Sequence, residues 1–243
     1  MKKLFVLLLM SVLMTSTVAC SNNAGESKSK TGEKQNTVEI KTMAGKKLEK
    51  QNSDKNKDEV LVIDVRSEEE YKAGHIQHAI NIFVDEMESR LNEIEDYKDK
   101  PVILYCNTGN KSGKAAKLLV ANGFKDVTNA AGVKDYEYDL VQYGDVRGET
   151  FQALIEENKD VVLVDVRPQA QADEEGMIEG AINVPFDAVD ANLDKLPKGK
   201  TIAVYCNTGT KSAEVAMKLE EIGYKNVVNS IEGVKEHSFS LVK

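Results

Sequence analysis

A chain of 243 residues is too long for one small domain and suits two of ordinary size. With 41% hydrophobic and 30% charged residues it has the makeup of a soluble globular protein. Its net charge of −8 argues against nucleic acid as a partner and leaves no basic face for an anionic membrane surface.

Residues 1–20 read as an export signal: Lys2 and Lys3, the apolar run Leu4–Met14, then small residues before Cys20. That run is too short for a permanent membrane span. Thr17-Val18-Ala19-Cys20 resembles a bacterial lipobox, although Leu is usual where Thr17 stands. The resemblance implies that Cys20 is lipidated and tethers an exported, extracytoplasmic protein to the membrane. The alternative is an ordinary cleaved signal with a chance cysteine. Residues 21–36 are polar and almost free of apolar side chains, so a flexible linker is expected there.

Beyond the linker two segments repeat with a period of about one hundred residues, which is two copies of a complete domain and not a solenoid. Val60–Arg66 matches Val161–Arg167, and Gly74–Asn81 matches Gly176–Asn183. Gly123-Phe124 matches Gly223-Tyr224, and Gly132-Val133 matches Gly233-Val234. The boundary falls near Tyr143–Asp145, placing the domains at 37–143 and 144–243. In the first copy, strands are expected near Val38–Ile40, Val60–Val65, Ala79–Ile82, Val102–Tyr105 and Val127–Asn129. Helical patterns cover Glu68–Lys72, Asp85–Glu95 and Lys114–Asn122, and polar Gln51–Asp58 reads as a surface loop. Continuous apolar strands alternating with helices point to an α/β fold with a buried parallel sheet.

Each copy carries one cysteine loop, Tyr105-Cys106-Asn107-Thr108-Gly109-Asn110-Lys111-Ser112 and Tyr205-Cys206-Asn207-Thr208-Gly209-Thr210-Lys211-Ser212. The loop lies between a strand and a helix start, so its N–H groups and the helix terminus converge on one spot. A thiol at that spot ionises more readily than usual. Gly109 and Gly209 permit the tight turn that makes the N–H groups converge.

Asp-Val-Arg at a strand end, then Gly-His-Ile-x-x-Ala-Ile-Asn, then Tyr-Cys-x-x-Gly-x-Lys-Ser resembles the rhodanese domain. The resemblance spans Thr37–Lys243 as two tandem domains. It implies, in each, a parallel five-stranded sheet flanked by helices. It also implies a sulfurtransferase, in which Cys106 and Cys206 take a sulfane sulfur from a thiosulfate- or polysulfide-type donor. The persulfide then passes to cyanide, a thiol or a protein acceptor, with no dissociable cofactor. Loop residues 107–112 and 207–212 would bind the anion, with Lys111 and Lys211 attracting the donor.

Related phosphatases hold an Arg with five residues between it and the Cys, where this chain has Ser112 and Ser212. The shorter loop and the lysine favour sulfur over phosphate. Many rhodanese-like domains carry Arg where Asn107, Lys111, Asn207 and Lys211 stand, so a neutral or thiol-bound donor is as plausible as thiosulfate. The second copy departs further, with Pro168–Glu175 in place of an acidic-aromatic turn and Met177 in place of His75. A module that binds sulfide, polysulfide or a partner without turnover is the rival reading. A buried core role for Cys106 and a Cys106–Cys206 disulfide are the remaining alternatives. Asp64, Arg66, Asp165, Arg167 and His75 are expected to act as structural hydrogen-bonding groups. No metal-ligand spacing is present.

Overall fold

The computed structural model describes residues 38–243. The export signal, the lipidated Cys20 and the linker expected at 1–36 lie outside the described residues.

The first copy runs β1 (Lys41–Met43), α1 (Gly45–Gln51), β2 (Leu61–Asp64), α2 (Glu68–Ala73), β3 (His75–Ile76), β4 (Ile80–Asn81), β5 (Pro101–Tyr105), α3 (Asn110–Ala121), β6 (Asp126–Ala130) and β7 (Leu140–Val141). The second repeats it: β8 (Gly144–Val146), α4 (Gly148–Glu157), β9 (Val162–Asp165), α5 (Gln169–Glu175), β10 (Met177–Ile178), β11 (Ile182–Asn183), β12 (Ile202–Tyr205), α6 (Thr210–Glu221), β13 (Val227–Ser230) and β14 (Leu241–Val242). Each copy builds a parallel five-stranded sheet, β1-β6-β5-β2-β4 and β8-β13-β12-β9-β11. The central strands β2 and β12 are buried at every position, because helices cover both faces of a parallel sheet.

The repeated motifs are scaffolding. The Arg66 guanidinium donates to the Asp64 carboxylate (2.6 Å) and to the Gly74 carbonyl (2.6 Å), closing the end of α2 onto the sheet. Arg167 does the same with Asp165 and Gly176 (2.6 Å each). Asn81 and Asn183 donate back to the carbonyls at both ends of these Asp-Val-Arg turns. The Tyr105 hydroxyl accepts the Ile76 N–H (3.1 Å) and Tyr205 accepts that of Ile178 (3.0 Å). These buried donors and acceptors thus find their partners within their own copy, as expected for structural residues.

Three expectations shift. The first strand forms at Lys41–Met43 and not at Val38–Ile40, because pairing with β6 (Thr42 opposite Asn129) decides its register more than hydrophobicity does. No α-helix covers Asp85–Glu95. Turns lead instead into a 3₁₀ helix at Leu91–Tyr97, where Leu91, Ile94 and Tyr97 recur every third residue and turn one face to the core. The helices after the cysteine loops start early, at Asn110 and Thr210, so Lys111 and Ser112 (and their counterparts) already lie in the first turn.

The two sheets meet edge to edge, β4 against β8. A cleft on one side of the seam is lined by Asn81 at the end of β4, by Phe83 just past it, and by Thr201 and Asn226, just before β12 and β13. On the other side, Leu61 and Lys100 at the strand starts of the first sheet face Arg147 and Ile231 at the strand ends of the second. The carboxyl edge of each sheet therefore neighbours the amino edge of the other, and the two cysteine loops open on opposite sides of the seam.

The seam is held by polar contacts. Arg147 binds Asp96 (2.7 Å), the Glu93 carbonyl (2.7 Å) and Glu232 (2.7 Å). Asp145, 1% exposed, accepts the backbone N–H of His78 (2.7 Å) and the side-chain amide of Asn229 (2.7 Å). Its own N–H donates to the Tyr71 hydroxyl (2.9 Å). His78 takes a left-handed conformation (φ 62°) where the second copy has Gly180, a cost accepted where its N–H meets Asp145 and its ring meets Asp54 (2.8 Å). His75 stacks on Tyr71, and burial pushes its pKa down to about 3, so it is neutral and structural.

Candidate active site

Strand β5 delivers Cys106 to the carboxyl edge of its sheet, and β12 does the same for Cys206. Binding sites form at this edge in open α/β sheets. The chain then turns through Asn107–Gly109 and enters α3 with Gly109 as its left-handed N-cap (φ 77°); Gly209 repeats this at φ 75°. The loops are held from below. The N–H groups of Val133 and Lys134 donate to the carbonyls of Cys106 and Asn107 (3.0 Å each), and Val234 and Lys235 do the same in the second copy. Gly132 and Gly233 make that approach possible: a Cβ on either would lie 2.1 Å from the backbone of Asn107 or Asn207. This explains why the Gly-Val pair repeats.

Both thiols point beneath their loops and are buried, Cys106 at 1% exposure and Cys206 at 4%. The burial of Cys106 is thus real, because one side of the residue packs in the core cluster. Its other side meets polar groups, which a purely structural cysteine does not need. Cys106 Sγ accepts from the Ser112 hydroxyl (3.3 Å) and the Ser112 N–H (3.5 Å). Burial opposes ionisation, but these two donors, with the N–H groups of Thr108 and Lys111, outweigh it and bring the thiol below its ordinary pKa. Cys106 and Cys206 are free thiols and form no disulfide with each other, since the loops open on opposite sides of the seam.

The second site is built from the same parts and wired differently. In the first, the Asn129 side chain donates to the Gly109 carbonyl (3.1 Å). In the second, the equivalent Asn229 is drawn to Asp145, and the Gly209 carbonyl instead lies 3.0 Å from the Ser212 hydroxyl. That hydroxyl also lies 3.4 Å from Cys206 Sγ, so a single proton has two acceptors. Ser112 has no such competitor.

Sequence reasoning missed the side chains that close the loop mouths. Glu70, at the third position of α2, accepts from the Asn107 amide (2.6 Å) and lies 3.8 Å from Lys111 Nζ. The Asn107 amide, aided by Ser67 and Lys111, holds its carboxyl below the usual range. In the second copy Gln171 takes this place and pairs with Asn207 (2.9 and 3.1 Å), while Lys211 turns to Glu214 (2.7 Å) on its own helix. Lys111 lies over the Phe83 ring (5.4 Å) and Lys211 over Phe186 (4.9 Å). The repeat alignment held the signal: Glu70 and Gln171 stand four residues beyond Arg66 and Arg167. Thr108, Asn110 and Thr210 are at the loop rim, with the Asn110 amide donating to Thr108 (3.3 Å). Among the described residues no group of three His, Cys, Asp or Glu side chains could hold a metal ion.

The profile of the rhodanese-like domain matches residues 46–134 and 148–238. Over 73 residues the chain is 42% identical to the thiosulfate sulfurtransferase PspE of Escherichia coli (strain K12), covering 30% of this chain and 70% of that protein. It is 44% identical over 71 residues to the uncharacterized protein YqhL of Bacillus subtilis (strain 168), covering 29% and 55%. A tRNA uridine(34) hydroxylase of Cytophaga hutchinsonii is 32% identical over 102 residues; the match spans 40% of this chain and 31% of the hydroxylase. Among solved structures, a thiosulfate sulfurtransferase from Pseudomonas aeruginosa aligns over 80% of this chain and 41% of its own, at 18% identity and a TM-score of 0.37. Two matched segments, each with its cysteine loop at the carboxyl edge of a parallel five-stranded sheet, establish that the chain belongs to the rhodanese-like family as a tandem of two domains.

Proposed function

We propose that this protein is a sulfurtransferase that moves a sulfane sulfur from a donor to a thiophilic acceptor through a cysteine persulfide. Cys106 is the first nucleophile, and Cys206 serves a second site. The thiolate attacks the outer sulfur of the donor, the new S–S bond forms as the donor's S–S bond breaks, and the leaving group departs with the electron pair. The persulfide is itself an anion and sits where the N–H groups of the loop and the Ser112 hydroxyl converge. The observation that carries this reading is the set of hydrogen bonds converging on Cys106 Sγ, which lowers the thiol pKa despite burial.

Intact mass after incubation with thiosulfate or polysulfide, without reductant, tests it. A gain of about 32 Da per reactive cysteine, reversed by cyanide, with one gain lost in Cys106→Ser and the other in Cys206→Ser, is the expected result. Unchanged mass with every donor, in protein whose thiols titrate as free, would sink the reading and favour a binding module. Lipidation of Cys20, and so an extracytoplasmic, membrane-tethered location, belongs to the same proposal. Incorporation of labelled palmitate that disappears in Cys20→Ala tests it.

A further inference from the structure

Glu70 and Gln171 occupy equivalent places in the two sites and differ in charge. Glu70 reaches across its loop from the residue after the cysteine (Asn107, 2.6 Å) to the fifth residue after it (Lys111, 3.8 Å). A carboxylate therefore lies at the mouth through which a donor approaches Cys106. Gln171 meets only the first of these counterparts, Asn207, as a neutral amide pair. Lys211 is held by Glu214 at the helix surface (2.7 and 2.9 Å), and the nearby Glu175 is bound to Arg167 (3.0 Å). Glu175 also accepts from the Gln171 amide (3.0 and 3.1 Å), so the carboxylate of the second site stands behind Gln171 with its charge offset by Arg167, whereas Glu70 meets its loop directly.

We propose that this position sets the donor charge each cysteine accepts. Glu70 directs Cys106 to monoanionic or thiol-borne sulfane sulfur, and Gln171 leaves Cys206 open to dianionic thiosulfate. The inference rests on the sulfurtransferase reading. With thiosulfate, Cys–S⁻ and S–SO₃²⁻ give Cys–S–S⁻ and SO₃²⁻, sulfite leaving with the electron pair of the broken S–S bond. With methanethiosulfonate, Cys–S⁻ and CH₃SO₂–S⁻ give Cys–S–S⁻ and CH₃SO₂⁻. The sulfur delivered is the same and the donors differ by one charge, so their ratio of kcat/KM reads the field at the mouth.

The test uses the full chain in two backgrounds, Cys206→Ser and Cys106→Ser, with the swaps Glu70→Gln and Gln171→Glu. Gln retains the capping-box role that Glu70 plays toward Ser67, so α2 keeps its cap. Glu70→Gln is expected to raise the thiosulfate-to-methanethiosulfonate ratio at Cys106 about tenfold, an effect that shrinks as salt is added. Gln171→Glu is expected to lower the ratio at Cys206 by a similar factor. Ratios within twofold of the parents, with persulfide forming normally, would overturn this inference alone. Failure of both cysteines to load from either donor would overturn the sulfurtransferase reading and this inference with it.

Discussion

Replacing Ser112 by Ala removes the closest donor to Cys106 Sγ, the hydroxyl at 3.3 Å, and leaves the N–H donors in place. A hydrogen bond to a charged group contributes about 1.5–3 kcal/mol. Sulfur is a soft, diffuse acceptor, so the lower end applies, and about 1.5 kcal/mol corresponds to a rise of about one pH unit in the thiol midpoint. Below the midpoint the thiolate population, and with it the rate of persulfide formation, should fall about tenfold. The assay is thiolate ultraviolet absorbance against pH in the Cys206→Ser background, which needs no reagent to reach a buried sulfur. Ser212→Ala in the Cys106→Ser background provides the comparison. Its hydroxyl already has the Gly209 carbonyl at 3.0 Å, so persulfide formation at Cys206 should slow by only about two- to threefold. An unmoved Cys106 midpoint, with the fold intact by circular dichroism, would refute the claim that the Ser112 hydroxyl stabilises the thiolate.

Asp145 makes stability depend on pH at the domain seam. Burial pushes its pKa up from 3.8 to about 6, so the folded protein takes up a proton that the unfolded chain has already released. Stability should therefore fall by on the order of 3 kcal/mol as pH rises from about 4 to about 6, and Asp145→Asn should remove this slope. Urea titrations of parent and variant at several pH values measure it, and parallel profiles would contradict the assignment. Gly132→Ala places a Cβ 2.1 Å from the Asn107 carbonyl oxygen and must push the loop off its support. Sulfur loading at Cys106 should fall at least about tenfold while Cys206 still loads, as intact mass would report.

Much of the architecture was legible in the chain itself. The apolar runs Val60–Val65 and Val161–Val166 are continuous because their strands are covered on both faces, and the order of the motifs sets the order of the strands. The Asp-Val-Arg turns and the glycines of the cysteine loops act within a few residues of their own backbone, and the Asn81 and Asn183 ties within 15 to 18 residues, so motifs recurring in fixed order encode them. The 3₁₀ segment at Leu91–Tyr97 was less legible, because apolar spacings of three and four residues overlap over so short a stretch.

What the sequence by itself determined is the repeat, the parallel sheets and the place of each cysteine at a strand end, since local periodicity and turn chemistry record them. Only the tertiary structure decided what each site is made of. The packing of α2 on the first loop brings Glu70 to Asn107, 37 residues away in sequence. The pairing of β8 with β13 in the second sheet brings Asp145 opposite Asn229, 84 residues away, and so leaves the Gly209 carbonyl to Ser212. Two loops of nearly identical sequence thereby become electrostatically different sites, because a polar side chain binds whichever partner the packed chain brings within hydrogen-bonding distance, and periodicity carries no record of that choice.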